Sequence, residues 1–555
     1  MYKSSKEAKN LAEKLKNSNK KDVVSSLKQK PFYLSIIRYL CLILIILSIP
    51  AFFSNWKLSL AIFIFSVILF SYSELFLQQT HGIVKIYGPL GRLRYITENL
   101  IRDKYLQYFQ ETNTDGRPIP RIVRDYVYQK AHNLKSVTSF GTELDIYDPE
   151  NTPGVRILHR NFPAKITNLN YEVIIGGSRK NIKPFIVKNT INVSGMSYGS
   201  LSYKAAESIS LGAKDVGYVN TGEGGYGPHG FSGNDIVFQI GTGKFSVGEE
   251  KTLQDGKTTR VLNEKLLIQL VKTHPNIKMI QLKISQGAKP GIGGVLPKDK
   301  VTPEIAEIRK VPPYKMLISP PQHAELIAQT PKESVFKLMD FIERIRKITE
   351  LPVGIKICFG NLEEIELLAN AMKISKKGPD AIQVDGADGG TGAGPNIFVN
   401  YVGYGSTVET TAILDKTLKR LKIRDTVTIS SSGKLFTPAH AASAFAAGAD
   451  TIETARGIML SLGCIQALKC HTNECPTGIT TNKEWRIRAI HIPEKSTRIH
   501  NYLTGFHEDM LEITKITGHS DPRDIQPEDL RMFSYENFFS KPSKHQTSQP
   551  TSGLV

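Results

Sequence analysis

The stretch GCIQALKCHTNECPTGITTN, Gly463 to Asn482, places Cys464, Cys470 and Cys475 in the spacing C-x5-C-x4-C, in a chain of 555 residues with only five cysteines. Three thiols this close in sequence point to shared chemistry. Iron–sulfur clusters are held by cysteine thiolates, and three ligands suit a three-iron cluster or a four-iron cluster with one open position. Zinc is the alternative, with His471 as a fourth ligand. That histidine abuts Cys470, and zinc sites ordinarily contain C-x2–4-C pairs. Unligated thiols are a third reading. A disulfide depends on the compartment, and so on the elements that carry this segment. Cys41 lies in an apolar run and Cys358 in a strand-like one; both read as small buried hydrophobes.

The compartment follows from the N-terminus. Residues 1–30 carry nine lysines against three acids. The run YLSIIRYLCLILIILSIPAFF (Tyr33 to Phe53) is apolar apart from Arg38, and LSLAIFIFSVILFSYSELFL (Leu58 to Leu77) follows after a short connector, Ser54–Lys57. Each run has the length needed to cross roughly 30 Å of hydrocarbon, so the sequence predicts a transmembrane helical hairpin over 33–77. Tyr33, Trp56 and Tyr72 suit the interfaces, and Pro50 is tolerable near a helix end. A signal peptide fits poorly, because the charged region is long and no small-residue cleavage site is visible. The positive-inside rule keeps the basic leader, 1–32, in the cytoplasm, and two crossings return the chain there. The expected location is the inner (cytoplasmic) membrane, multi-pass, with the catalytic domain cytoplasmic. A reducing compartment then disfavours a disulfide among the three cysteines and favours a metal.

The whole chain is 40% hydrophobic and 22% charged, a globular composition, with a formal net charge of +19. That charge suits anionic lipids, acidic partners or anionic ligands. There is no nucleic-acid recognition motif and no interleaving of basic and aromatic residues, so nucleic acid is not an expected partner.

Residues 80–185 read as a collar containing the turn-rich loop ETNTDGRPIP. From Thr190 short β-rich runs alternate with helical patterns. The runs are TINVS, YVNT, MIQLK, MLIS, VGIKI, AIQVD, TVTIS and TIET; the helical patterns include SYKAAESISLGAKD, KESVFKLMDFIERIRKI, LEEIELLANAMKI and PAHAASAFAAGA. Alternation implies a parallel sheet, and eight repeats imply a (β/α)8 TIM barrel over 186–520, with the active site at the strand C-termini. A doubly wound open sheet is the rival. Residues 521–555 read as a tail. Glycine-rich segments cluster after the strands: GMSYGS, GEGGYG, ISQGAKPGIGG, GADGGTGAGP, SSGK and ARG. GEGGYG matches G-x-G-x-x-G, but Pro228 follows where a helix should open, so it is not a dinucleotide site.

The motifs GMSYGSLS, NTGEGG, KISQGAKPGIGGVLP, ISPPQH, DGADGGTGAGP and the cysteine segment followed by PTGITT stand in the order of the glutamate synthase FMN-binding domain. Over roughly residues 185–485 the chain resembles that family, and with its hairpin it looks like a membrane-tethered short form. The resemblance implies FMN, and a [3Fe–4S] cluster on Cys464, Cys470 and Cys475. In a TIM barrel the FMN phosphate is expected at the loops after strands seven and eight, Ser432-Gly433-Lys434 and Thr454-Ala455-Arg456. Backbone groups of Ser194, Gly195, Met196 and Ser197 are expected to line the ring. Lys356 is a candidate for the N1/O2 side, where reduced flavin gathers negative charge, and Gln281 for the pyrimidine edge; their alternatives are a buried ion-paired lysine and a core polar residue. The family reduces 2-iminoglutarate, formed from 2-oxoglutarate and ammonia. Lys289 and Arg309 stand where the family binds the dicarboxylate, with Lys283 and Gln286 nearby. Glu223 is a candidate proton shuttle or channel residue, or else a loop-stabilising carboxylate.

The chain also departs from the family. Fuller members read GAKPGEGGQLP where Ile292 and Val295 replace Glu and Gln, which widens the expected substrate to a related oxo acid or another imine. The start MYKSSK offers no N-terminal cysteine nucleophile for glutamine hydrolysis, so ammonia is expected free or from a partner. Electrons are expected from an external donor, a ferredoxin or a reductase subunit. A non-catalytic electron-transfer protein that keeps the cofactors is the reading from another class.

Overall fold

The computed structural model describes residues 32–78, 81–97, 116, 118–135, 137–138, 141–144, 155–162, 165–166, 168–169, 171–228, 231, 233–252 and 258–532. The expected basic leader up to residue 31, much of the collar and the tail beyond 532 lie outside the described residues. The chain divides into two compact units, one of Met1–Tyr108 with Pro476–Gly478 and Lys483–Glu494, the other of Phe109–Cys475 with Ile479–Asn482 and Lys495–Val555.

In the first unit helix α1 (Phe32–Ala51) is followed by α2 (Trp56–Tyr72), whose first turn is capped by the Asn55 side chain accepting from the Leu58 amide. Among the described residues one helix, Trp56–Leu77, is long and apolar enough to cross a membrane; the apolar stretch of α1, Ile36–Pro50, is shorter. The expected pair of equal spans is therefore met by one full-length span and one short apolar helix. The flaw at Arg38 has a structural partner: its guanidinium lies 2.6 Å from the buried Glu74 carboxylate, which Arg92 also approaches, at 2.9 Å. A carboxylate removed from water needs such pairing.

The second unit holds a closed parallel barrel of eight strands. They are β1 (Ile191–Val193), β2 (Val219–Asn220), β3 (Ile236–Ile240), β4 (Ile277–Lys283), β5 (Val353–Ile357), β6 (Ala381–Asp385), β7 (Thr428–Ser432) and β8 (Thr451–Thr454), with β8 pairing back onto β1. Their apolar residues are buried on both faces, as parallel strands covered by helices require: Ile191, Val193, Phe238, Ile280, Ile355, Ile382, Val384, Ile429 and Ile452 are all closed to solvent. The outer helices start on side-chain caps at Ser202, Thr330, Asn361, Ser406 and Thr437, each accepting a hydrogen bond from a first-turn amide.

One expected strand is corrected. MLIS is not in the barrel; Leu317–Ile318 pairs antiparallel with Val295–Leu296 in a small hairpin outside it. The third stave is IVFQI, Ile236–Ile240. It follows β2 with only the 3-10 turn Gly222–Gly224 and loop between them, so the strand–helix rhythm breaks there. After β3 comes an antiparallel hairpin, Gly248–Thr252 with Thr258–Leu262, and only then a helix, Glu264–Thr273. Gln281 thus sits on the fourth strand rather than the third, and the loop carrying Lys289 follows the fourth. The cysteine segment follows β8 after one short helix, Arg456–Ser461.

Candidate active site

Polar side chains link across the upper barrel interior. Asn220 Nδ2 and Gln239 Nε2 both donate to Gln281 Oε1, at 2.8 and 2.7 Å. Gln281 Nε2 donates to Gln383 Oε1 at 2.9 Å, Gln383 Nε2 donates to Ser194 Oγ at 3.1 Å, and Ser194 Oγ lies 3.4 Å from Ser432 Oγ. This chain ties β1, β2, β3, β4, β6 and β7 together. Buried amides must be satisfied, and here they satisfy one another. Gln281 therefore has the surroundings of a barrel-core polar residue.

Beside this network Glu453 on β8 is almost closed to solvent. Its Oε1 accepts from Tyr218 OH at 2.8 Å and Ser430 Oγ at 3.3 Å, while Oε2 has no hydrogen-bond partner. Burial pushes its carboxyl up to about 7, with Lys356 and these hydrogen bonds opposing. The Lys356 ammonium lies 3.4 Å from Asp385 Oδ2, which also accepts from the Gly287 amide at 2.9 Å. The candidate flavin lysine is thus ion-paired at the end of β5.

The loops above build two charged regions. In the first, Lys283 Nζ lies 2.8 Å from Glu223 Oε1 and donates to Gln286 Oε1 at 2.5 Å. Burial raises the Glu223 carboxyl, and Lys283, Lys289 and Arg309 more than offset it, so it is held below its ordinary value. Burial lowers the Lys289 ammonium, and Glu223 opposes. Arg309 is 4% exposed; its Nη2 donates to the Tyr198 carbonyl at 2.8 Å and its guanidinium lies 4.7 Å from the Phe245 ring centroid. Burial brings it down to about 10, and its Nε has no hydrogen-bond partner. Lys283, Gln286, Lys289 and Arg309, expected together, thus form one group with Glu223, which was expected in a separate role. Gly222 explains how Glu223 reaches it: its φ is +64°, and a Cβ there would come 2.6 Å from the Ser197 amide nitrogen, so only glycine lets this loop lie on GMSYGS.

The second region is the loops after β7 and β8. Arg456 Nη2 donates to the Asp388 carbonyl at 2.7 Å, and Asp388 Oδ1 is buried without a hydrogen-bond partner. Burial raises the Asp388 carboxyl while Arg456 and Lys434 oppose. Gly433, at φ +147°, abuts it; a Cβ would stand 2.6 Å from Asp388 Oδ1. The Arg456 and Lys434 cations and the glycine-lined approach suit an anionic group such as a phosphate, and the Asp388 carboxylate opposes it. Gly195, Met196 and Ser197 are half-buried at the rim, and the Ser194 amide donates to the Thr454 carbonyl at 3.2 Å.

The three cysteines lie within electrostatic reach of one another. Burial pushes Cys464 up to about 12, and Cys470 and Cys475 add to it; burial also raises Cys470, against Thr480 and Lys300. The segment is fastened by Tyr128 OH donating to the Cys464 carbonyl at 3.1 Å and by the Gln466 amide donating to Cys464 Sγ at 3.5 Å. Among the described residues no group of three His, Cys, Asp or Glu could hold a single metal ion. Cys475 is buried and Cys464 and Cys470 are half-buried, and three neighbouring thiols are a donor set that suits a cluster of several irons.

Residues 155–520 match the conserved region in glutamate synthase. The chain belongs to the glutamate synthase family. Glutamate synthase large subunit-like protein YerD of Bacillus subtilis is 33% identical over 490 residues, covering 80% of this chain and 88% of that protein. The archaeal glutamate synthase (NADPH) of Methanocaldococcus jannaschii is 29% identical over 337 residues, 59% of each chain. A ferredoxin-dependent glutamate synthase of Pyropia yezoensis is 31% identical over 337 residues, 60% of this chain and 21% of that one. Among solved structures, a flavocytochrome b2 variant with sulfite bound aligns with a TM-score of 0.40 at 10% identity, covering 85% of this chain and 96% of that one.

Asn220, Gln239, Gln383, Glu453, Asp385, Asp388 and His323 were not singled out by sequence. His323 Nε2 lies 2.9 Å from the Lys283 carbonyl, and burial brings its imidazole down to about 4. The missed signal was a recurrence: IVFQI, MIQLK and AIQVD each carry a glutamine inside an otherwise apolar strand.

Proposed function

We propose that this protein is an FMN- and iron–sulfur-dependent oxidoreductase that forms glutamate by reductive amination of 2-oxoglutarate, with ammonia free or partner-supplied. The reading is carried by one observation: in a barrel of the glutamate synthase family, Lys283, Lys289 and Arg309 converge on Glu223 at the strand C-termini. Such a cluster suits an anionic dicarboxylate, with Lys283 and Glu223 able to exchange a proton with an imine nitrogen. FMN, when bound, supplies the two-electron reductant. Ser432, Gly433, Lys434 and Arg456 are the residues to hold its phosphate, and Ser194–Ser197 line its ring. Lys356, paired with Asp385, keeps a positive charge beside the pyrimidine side. Cys464, Cys470 and Cys475 would hold a [3Fe–4S] cluster, which would supply one-electron chemistry between an external donor, a ferredoxin or a reductase subunit, and the flavin.

Membrane tethering at the cytoplasmic face is part of the proposal, with α1 and α2 as the hairpin. Only 17% of the apolar window of Trp56–Leu77 is buried within the protein, which suits lipid better than a soluble core. A second reading keeps the chemistry on another imine or an N-alkyl amino acid. It is favoured by Val295, which lies 37% exposed opposite Ile318 and offers no amide to a carboxylate.

The test is purification in mild detergent, followed by flavin and iron analysis and oxo-acid-dependent reoxidation of reduced flavin. FMN, about three irons per chain, and acceleration by 2-oxoglutarate with ammonia are expected. Serine at any of the three cysteines should lose iron and keep FMN. Stoichiometric zinc without iron sinks the cluster reading, and flavin reoxidation indifferent to every oxo acid sinks the enzymatic one.

A further inference from the structure

Lys300 lies in the short turn Lys298–Lys300 and is 2% exposed. Its ammonium donates to three backbone carbonyls: Ser200 at 2.7 Å, Thr480 at 3.0 Å and Cys470 at 3.3 Å. Ser200 belongs to the loop after β1, Cys470 to the cysteine segment and Thr480 to the PTGITT that follows it. No carboxylate pairs with Lys300 among the described residues. The acidic groups that act on it are Cys470 and Cys475, which carry negative charge only as thiolates, and Arg309 adds further positive charge.

Burying an ammonium is costly unless an opposite charge accompanies it. Carbonyl dipoles meet part of that cost, and the remaining countercharge has one available source, the cysteine site. The placement is built rather than incidental. Asn473 Nδ2 donates to the Asp299 carbonyl at 3.1 Å and Asn482 Nδ2 to the Lys300 carbonyl at 2.9 Å, so the turn is clipped to the cysteine segment on both sides of the ammonium.

We infer that Lys300 is a positioning residue that supplies the buried positive charge against which Cys464, Cys470 and Cys475 hold an anionic iron–sulfur centre, and that it thereby sets that centre's reduction potential. The inference rests on the cluster reading proposed above. A fixed cation favours whichever form of its neighbour is more negative, here the reduced one. In a low-dielectric interior salt screens that preference weakly. The link to Ser200 also fixes the charge relative to the loop that lines the proposed flavin site.

The experiment uses full-length protein purified anaerobically in mild detergent, comparing the natural chain with Lys300→Met, Lys300→Gln and Lys300→Arg. Iron content is measured first, then the potential by EPR-monitored reductive titration at low and high salt. Met and Gln should retain iron yet weaken the one-electron reduction equilibrium about tenfold, which is 59 mV for such a couple. Arg should restore it to within threefold, and added salt should change neither result. Should Met and Gln lose their iron, an Arg variant that keeps it at the natural potential still supports the role of charge, while an iron-free Arg variant overturns it. A loaded Met variant with an unchanged potential overturns the inference alone. A natural chain without iron overturns the cluster reading and this inference with it.

Discussion

Lys283 closes β4 and its ammonium meets the carboxylate of Glu223, from the loop after β2, at 2.8 Å. Two strands that are not neighbours in the barrel thereby share one ion pair. Glu223→Gln keeps the shape and removes the charge. Oxo-acid-dependent flavin reoxidation should fall roughly 100-fold, the order of a lost acid–base group, with FMN content unchanged. Because the Glu223 carboxyl is held below its ordinary value, it contributes stability above about pH 4.3 that is lost as pH falls through its folded value. The variant should therefore show a shallower acid limb in urea melts; equal acid limbs would count against the pairing.

Arg309 donates to the Tyr198 carbonyl and covers the Phe245 ring. A lysine reproduces the charge and neither contact. Arg309→Lys should weaken oxo-acid binding by about 2 kcal/mol, the worth of a charged hydrogen bond, and lower the melting temperature as well. KM and a thermal scan measure the two effects. Loss of FMN instead would mean that the loop after β4 serves the flavin. Val295→Gln should tighten 2-oxoglutarate if the family's pose is kept.

Glu453 gives the opposite pH dependence from Glu223. Its folded carboxyl is raised to about 7, so the native state binds a proton that the unfolded chain has already released. Its contribution is full below about pH 4.3 and is lost as pH rises through 7, by roughly 4 kcal/mol in all. Glu453→Gln should flatten that decline and gain on the natural chain at pH 8. Parallel stability curves for the two proteins would refute a raised carboxyl here.

Reporter fusions test the membrane proposal. Fusions after Lys30 and after Val555 should both report the cytoplasmic side, and a tag in Ser54–Lys57 should be reached only from outside. A cytoplasmic tag at that connector would leave Trp56–Leu77 without a partner crossing.

Seven barrel staves were legible because β-branched runs such as VGIKI and AIQVD stand between helices with their own caps. The eighth, IVFQI, was not. It sits between the glycine-rich GEGGYGPHGFSGND and GTGK, with no helix before it, and alternation is the signal such a reading depends on. MLIS filled the vacancy because Leu317 and Ile318, half-buried and exposed in a minor hairpin, have the same composition as a stave. Glu223, Lys283, Lys289 and Arg309 were legible by type and motif. What sequence could not give was their convergence, because β2, β4 and the Pro303–Arg309 helix meet only once the barrel closes. Asp385 and Glu453 were missed for a related reason: a carboxylate's role depends on who faces it across the interior.

The amides crossing the barrel all face one way. Asn220 and Gln239 give their protons to Gln281, Gln281 gives to Gln383, and Gln383 gives to Ser194. Ser194, already accepting, has its own proton left to give, and Ser432 Oγ lies 3.4 Å away. The row is thus polarised like a short wire, with its electron-poor end at Ser194. Since each amide's orientation is dictated by the one before it, no single member can turn over alone. Reversing the wire means reversing all of it, and the barrel interior accordingly has a fixed electrical sense that is written by four carboxamides rather than by any ion.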